Sequence, residues 1–295
     1  MKFKSYLREH ARKLDFCLYQ HLFEGADSAA VLTELSAYQN SDGGFGKALE
    51  SDLRLPDSSA LATTVAFQYL SQIKVGSDNP VVANALNYLV TTFDKSRAGW
   101  VNIPPSADQY PRAPWWNFAS ATASVEWGNP SAEALGYMLA YSGETPSTPF
   151  IQRLTRRALQ RLHEIDNPEP HEIRCYVRLY EYANKDLRQS LHDLLAGHIK
   201  KSANTDPKEW HGYVSTPLTF IDSPDSPFAD LFSESLIMEN LSHLQSQLVD
   251  GDHWEPTWSW GQFEDEWAKA KTEWSGKLTV DNLKTLRAFG IEQPI

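Results

Sequence analysis

Glu50, Asp52, Arg54 and Asp57 stand within one short segment, Glu50-Ser51-Asp52-Leu53-Arg54-Leu55-Pro56-Asp57. Polar and apolar residues alternate there, so an extended connector would set Glu50, Asp52 and Arg54 on one side. Carboxyl groups crowded together do not all ionise cheaply, which suits one of them to donate a proton beside an ionised partner. Arg54 works against this, because it favours the ionised form of the carboxylate it meets. The competing reading is structural: Asp57, Ser58 or Ser59 caps the next helix, while Glu50 and Asp52 pair with Arg54 and Lys47. Glu50, Asp52 and Asp57 are the candidate catalytic residues, with Arg54 as a neighbouring substrate contact.

Two aromatic segments are the next candidates. They are Tyr110-Pro111-Arg112-Ala113-Pro114-Trp115-Trp116 and His253-Trp254-Glu255-Pro256-Thr257-Trp258-Ser259-Trp260. Aromatic faces stabilise cations, carbocations included, and they stack on sugar rings. Tyr110, Arg112, Trp115, Trp116, Trp254, Trp258 and Trp260 are therefore candidate substrate contacts, with Glu255 or Glu126 as an accompanying carboxylate. His253, between Asp252 and Trp254, is placed to relay protons. The plainer alternative is that these rings lock long loops onto the helices. His171-Glu172-x2-Cys175 puts three metal-ligand types on roughly one helical face, but further ligands would have to come from elsewhere, and no metal or cofactor is expected. Arg153, Arg156, Arg157 and Arg161 recur at three and four residues, as an anion patch or a solvated helix face.

The elements that must position these residues read as helices. Tyr6, Leu7, Leu14, Cys17, Leu18, His21 and Leu22 share one helical face, and the pattern resumes over Ala29–Tyr38 after Asp27 or Ser28 caps a new start. The same periodicity predicts helices over Leu61–Ile73, Val81–Phe93, Ser131–Ser142, Phe150–Ile165, His171–Ala183, Asp186–Ile199, Phe228–Leu248 and Thr279–Phe289. Strand signals are limited to Tyr213-Val214-Ser215 and Leu218–Ile221. The fold class is all-α, with long aromatic loops and one domain over residues 1–295. Pro146–Pro149 and Ser202–Pro207 are the most linker-like stretches.

Composition narrows the function. The chain has 295 residues and a net charge of -11, which repels phosphate backbones, and no run of Lys and Arg exceeds three residues; a nucleic-acid partner is not expected. Cys17 and Cys175 make no disulfide framework, which fits a reducing cytoplasm. Residues 1–15 carry charges throughout, so no signal peptide is expected, and no run of 18 apolar residues exists to span a membrane. Gly-x-Gly-x-x-Gly, Walker, Gly-x-Ser-x-Gly and His-Glu-x-x-His motifs are all absent.

The loops repeat. Leu35-x3-Gln39 runs into Asn40-Ser41-Asp42-Gly43-Gly44-Phe45-Gly46, and Leu244-x2-Gln247 runs into Asp250-Gly251-Asp252-His253-Trp254. A weaker copy joins Leu86 and Leu89 to Gly99-Trp100. Each is a helix, a polar end, a Gly-aromatic turn and a later helix, the pattern of stacked hairpins. Gln39 to Gly46 resembles the QW repeat of the terpenoid cyclase and protein prenyltransferase superfamily, and Gln247 to Trp254 is similar to a looser copy. That resemblance implies an α/α toroid (barrel) of stacked helix hairpins, in which Gln39, Gly44, Phe45, Gln247 and Trp254 are scaffold. It further implies acid-initiated chemistry on an isoprenoid or similar apolar small molecule in a central aromatic cavity. The superfamily's Asp-x-Asp-Asp motif is not present: Pro56-Asp57-Ser58-Ser59 keeps its proline and first aspartate, with Ser59 at the proton donor's place. A carbohydrate-active toroid, hydrolase or lyase, and a non-catalytic binding toroid are the alternatives.

Overall fold

The computed structural model describes residues 2–118, 127–143 and 148–291, and among these every regular element is helical. In chain order the α-helices are α1 (Lys2–His10), α2 (Lys13–Glu24), α3 (Ser28–Ser36), α4 (Ala60–Gln72), α5 (Pro80–Thr91) and α6 (Gly128–Tyr141). They continue as α7 (Pro149–Glu164), α8 (Pro170–Tyr182), α9 (Lys185–Ser202), α10 (Glu234–Ser246) and α11 (Glu264–Ala288). None of them is long and apolar enough to cross a membrane. The all-α expectation holds. The two strand candidates do not form strands: Ser215 accepts a loop hydrogen bond from Asn204 at 2.8 Å, and Pro217–Thr219 is a 3-10 turn.

Helix ends follow local chemistry. Ser59 caps α4 by accepting from the Ala62 N–H, Asn79 caps α5 through the Val81 N–H, and Ser233 caps α10 through the Leu236 N–H. Proline occupies the first turn of α5, α7 and α8, where its missing N–H costs nothing. The face expected from Tyr6 to Leu22 is broken at Arg12, whose ψ of 143° ends the first helix and starts α2. Asp15, wholly buried in the first turn of α2, receives the Arg12 Nε at 2.7 Å. Phe228–Leu248 is a 3-10 turn over Ala229–Leu231 and α-helical over Glu234–Ser246, while the last helix begins at Glu264, well before Thr279.

The residues form two compact units, Met1–Glu34 with Ala203–Ile295, and Leu35–Ser202. The second break falls at the start of the linker-like Ser202–Pro207 stretch. In the first unit, α1, α2 and α11 pack on one another, and α10 packs on the turn at Pro217–Thr219. Arg287 donates to the Leu22 carbonyl at 2.6 Å, tying the end of α11 to α2. In the second unit, α6 makes its broadest contact with α8. Gly136 permits that approach, since a Cβ there would stand 3.1 Å from the Leu179 Cα.

Candidate functional site

The acidic connector is a folded loop and not the extended strand that its alternation suggests. Lys47 and Ala48 sit at φ of 53° and 60°, and their N–H groups reach the carbonyls of Pro56 and Leu55 at 3.2 and 3.3 Å. A second turn joins the Leu53 N–H to the Glu50 carbonyl at 3.0 Å. Glu50, Ser51 and Asp52 thus lie at the tip of the loop, and both acids are buried, at 8% and 4% exposure. Alternation survives only over 53–55, where Leu53 and Leu55 enter an apolar cluster with Leu61, Ile103 and Ala107 while Arg54 is half-buried.

Asp57 is exposed and accepts a hydrogen bond from Ser106 Oγ at 2.8 Å. The cap of α4 is Ser59, so the hydroxyl at the superfamily's proton-donor place is a structural group here. Lys47 directs its ammonium to the carbonyls of Ala37 and Gln39, at 2.9 and 2.8 Å, so it closes the end of α3. Glu50, Asp57 and Ser59 line a narrow crevice with Leu49, Leu53 and Leu55. It has no room for even a water molecule, whereas an ordinary ligand pocket measures about 300–1,000 Å³.

This loop is paired with the first aromatic segment. Arg54 donates its N–H to the Pro111 carbonyl, and Ala113 donates to the Asp52 carbonyl, both at 2.9 Å. The acidic loop and the Tyr110–Trp116 loop therefore form one assembly, with Trp116 and Tyr110 packed on the Leu53/Leu55 cluster. Arg112 holds the aromatic loop from within: it donates to the carbonyls of Asp108 and Tyr110 at 3.0 and 2.9 Å and meets the Asp108 carboxylate at 3.0 Å. Arg112 is in this respect a loop clamp. Trp115 is 41% exposed, whereas the Trp116 indole N–H is buried with no acceptor among the described residues. Glu126 lies outside the described residues.

The second aromatic segment belongs to the other unit. Trp254 stacks on Phe3 with ring centroids 5.8 Å apart, and its indole N–H donates to the Leu244 carbonyl at 2.7 Å. His253 lies face to face with Tyr6 at 3.9 Å, with Nδ1 2.7 Å from the Asp252 carboxylate and Nε2 3.8 Å from Glu255. Glu255 is held in turn by Lys271 at 2.7 Å. Burial raises the Tyr6 hydroxyl pKa, the bond to Ser275 lowers it in part, and Glu255 and Asp252 add to the rise. Trp258 meets Tyr213 and Trp274 edge to face, and Trp260 packs on Trp267. Trp258 and Trp260 differ in setting: Trp260 is buried at 2%, while Trp258 keeps an unpartnered buried N–H among the described residues.

The three Gly-aromatic turns share one hydrogen-bond plan. Asn40, Asp94 and Val249 donate to the carbonyls of Gly44, Gly99 and His253, at 2.8, 2.9 and 2.9 Å. The next residues are Phe45, Trp100 and Trp254. Their N–H groups donate to the hydroxyls of Thr63, Ser131 and Thr279, at 3.1, 3.0 and 3.1 Å, each in a following helix. Trp100 also donates its indole N–H to Leu89, as Trp254 does to Leu244. Gln39 bonds the Gly43 and Val81 carbonyls at 2.9 and 3.0 Å and links its turn to α5. Gln247 has no such role among the described residues: it is exposed, and its amide reaches Ser246 at 3.5 Å.

A buried polar network centred on Glu133 is not among the sequence candidates. Glu133, at 2% exposure, accepts from Gln68 at 2.9 Å, Tyr137 at 2.8 Å, Arg178 at 2.9 Å and the Cys175 thiol at 3.5 Å. Burial, then the Glu133 charge, puts the Tyr137 hydroxyl and the Cys175 thiol well above their ordinary pKa values. Nearby, wholly buried Glu172 accepts from the Gly128 N–H at 2.8 Å and twice from Arg161, at 2.9 and 2.7 Å. The readable signal was that Glu133 is the one charged residue in α6.

Two other sequence readings are corrected by these contacts. His171 is exposed beside Glu169, while Glu172 and Cys175 point into the unit, so the three do not share a face. Arg161 is committed to Glu172, Arg157 to Glu164, and Arg153 to the Lys95 carbonyl, which disperses the arginine patch. Among the described residues no three His, Cys, Asp or Glu side chains are grouped to hold a metal. The chain matches no protein-family model, no curated protein and no solved structure.

Proposed function

We propose that the chain is a cytoplasmic, terpenoid-cyclase-like α/α toroid that acts on an isoprenoid or similarly apolar small molecule. The observation that supports this reading is the pairing of the Glu50–Asp57 loop with the Tyr110–Trp116 loop through Arg54–Pro111 and Asp52–Ala113. It joins carboxyl groups to tryptophan rings, the two ingredients of acid-initiated carbocation chemistry. The shared hydrogen-bond plan of the turns at Phe45, Trp100 and Trp254 supports the repeat that a toroid needs.

Glu50 is the leading proton donor. It is buried and lines the crevice beside Leu49, Leu53 and Leu55. Its proton adds to a carbon–carbon double bond and leaves a carboxylate and a carbocation. Loss of a proton from a neighbouring carbon of the cation back to that carboxylate gives an isomerised alkene and restores the acid. Trp115 and Trp116 offer ring faces to the cation. Asp57, exposed and bonded to Ser106, takes no part in the proton transfer. The crevice has no room for a ligand as it stands, so entry requires one of the two loops to open.

The test is incubation with a panel of acyclic isoprenoids, with products identified by gas chromatography and mass spectrometry. Glu50→Gln is expected to lower turnover by at least about a hundredfold, the scale of a lost general acid. Asp57→Asn is expected to stay within a few-fold of the parent. Full turnover by Glu50→Gln, or no product from any isoprenoid, would refute this assignment.

A further inference from the structure

Trp116 carries a donor left unused among the described residues. Its ring packs on the cluster of Leu53, Leu55, Leu61, Ile103 and Ala107, yet its indole N–H is buried with no acceptor among the described residues. Buried indole N–H groups ordinarily find a partner, and leaving a donor unmet costs stability that a ligand can return. The donor is also held in place. Trp116 N–H bonds the Ala113 carbonyl at 3.0 Å and Asn117 N–H bonds Pro114 at 3.2 Å, closing a turn around the indole. Phe118 N–H bonds the Asp108 carboxylate at 2.8 Å, and Arg112 binds the carbonyls of Asp108 and Tyr110. A side chain in a loose loop would turn its N–H to water; this one is fixed by backbone bonds before and after it.

The apolar cluster links the Trp116 ring to the acidic loop. Trp116 packs on the cluster that includes Leu53 and Leu55, and those two leucines also wall the crevice that Glu50 lines. We propose that Trp116 Nε1–H is a specificity-determining hydrogen-bond donor, and that the ligand of this site presents a neutral oxygen acceptor to it. The acceptor class is an alcohol or ether oxygen on an otherwise apolar skeleton, since the indole body is set in an apolar cluster. A pure hydrocarbon would leave the donor as it is. The inference rests on the isoprenoid reading for the skeleton, and on Trp116 alone for the oxygen.

The experiment uses full-length protein labelled with ¹⁵N, in which the Trp116 indole signal is assigned by its loss in Trp116→Phe. Phenylalanine keeps the ring packing and removes the donor. The additions are farnesol, β-farnesene (the same skeleton without the hydroxyl) and maltohexaose. Farnesol is expected to move the Trp116 signal downfield, and β-farnesene to leave it in place. Trp116→Phe is expected to weaken farnesol binding about tenfold more than β-farnesene binding, one hydrogen bond's worth. A shift with maltohexaose and with neither isoprenoid would sustain the donor role and sink the isoprenoid reading. Binding of both isoprenoids, read from other indole signals, with Trp116 unmoved would sink the donor role and leave that reading standing. An equal shift with β-farnesene, or no shift with any addition, would also overturn it.

Discussion

The backbone N–H of Trp254 donates to the hydroxyl of Thr279 at 3.1 Å, and that hydroxyl donates in turn to the Ser275 carbonyl one helical turn back. Phe45, Thr63 and Ser59 repeat the arrangement residue for residue, at 3.1 and 2.7 Å. In both cases an aromatic turn is fastened to a helix by one hydroxyl that accepts from the loop and donates to the helix. The recurrence explains how a Gly-aromatic turn docks on a helix far along the chain without a sheet to guide it.

Thr63→Val and Thr279→Val each keep the shape and strand a buried backbone N–H. The expected cost is about 1–3 kcal/mol, the desolvation penalty of an unmet donor. Thr63→Ser and Thr279→Ser retain the hydroxyl and should recover most of it. Urea denaturation of the four variants reads the difference; equal losses for valine and serine would show that the methyl group, and not the hydroxyl, matters.

Glu133 gathers four donors in a site that is 2% exposed, and its charge answers that of Arg178. Glu133→Ala leaves the guanidinium without its carboxylate and should cost about 3–5 kcal/mol. Glu133→Gln keeps an acceptor and should cost less. The comparison by denaturant midpoint separates loss of charge pairing from loss of volume.

Cys175 is buried, with its thiol pKa well above the ordinary value through burial and then the Glu133 charge. Cys17 is raised as well, chiefly by burial. Because the thiolate is the reactive form, both should resist a disulfide reagent at pH 8 in the native state. Both should react promptly in guanidinium. Rapid labelling of native Cys175 would show that the Glu133 network opens readily.

The helices were legible because their apolar faces recur at 3.6 residues and because Pro80, Pro149 and Pro170 mark starts. The shape of the acidic loop was not. Its fold depends on Lys47 and Ala48 at positive φ, which neither residue type advertises. The long start of the last helix was hidden for a different reason: Glu264 to Leu278 is polar, and Phe263 enters it at φ 51° with no side-chain cap. Glu133 was overlooked because its partners Gln68 and Arg178 come from helices remote in sequence. Of the candidate site, the pairing of Leu53 with Arg112 could not be read from either segment alone.

Glu169 gives the acid limb of stability a named contributor. Burial pushes its pKa up, but the bond and charge of His171 and the N–H groups of Glu172 and His171 outweigh it, and the net pKa is below the ordinary 4.5. The folded state therefore binds this proton less readily than the unfolded chain. Its stabilisation is complete above the unfolded value near 4.5 and is lost as pH falls through the lower folded value. Glu169 also caps α8 by accepting from the Glu172 N–H at 2.9 Å, a bond that glutamine can keep. Glu169→Gln should thus be less stable than the parent at pH 6 and approach it as pH falls below about 4, the window set by the carboxyl titration. Denaturation across that pH range provides the check; a gap that stays constant down to pH 2 would remove Glu169 titration as the source.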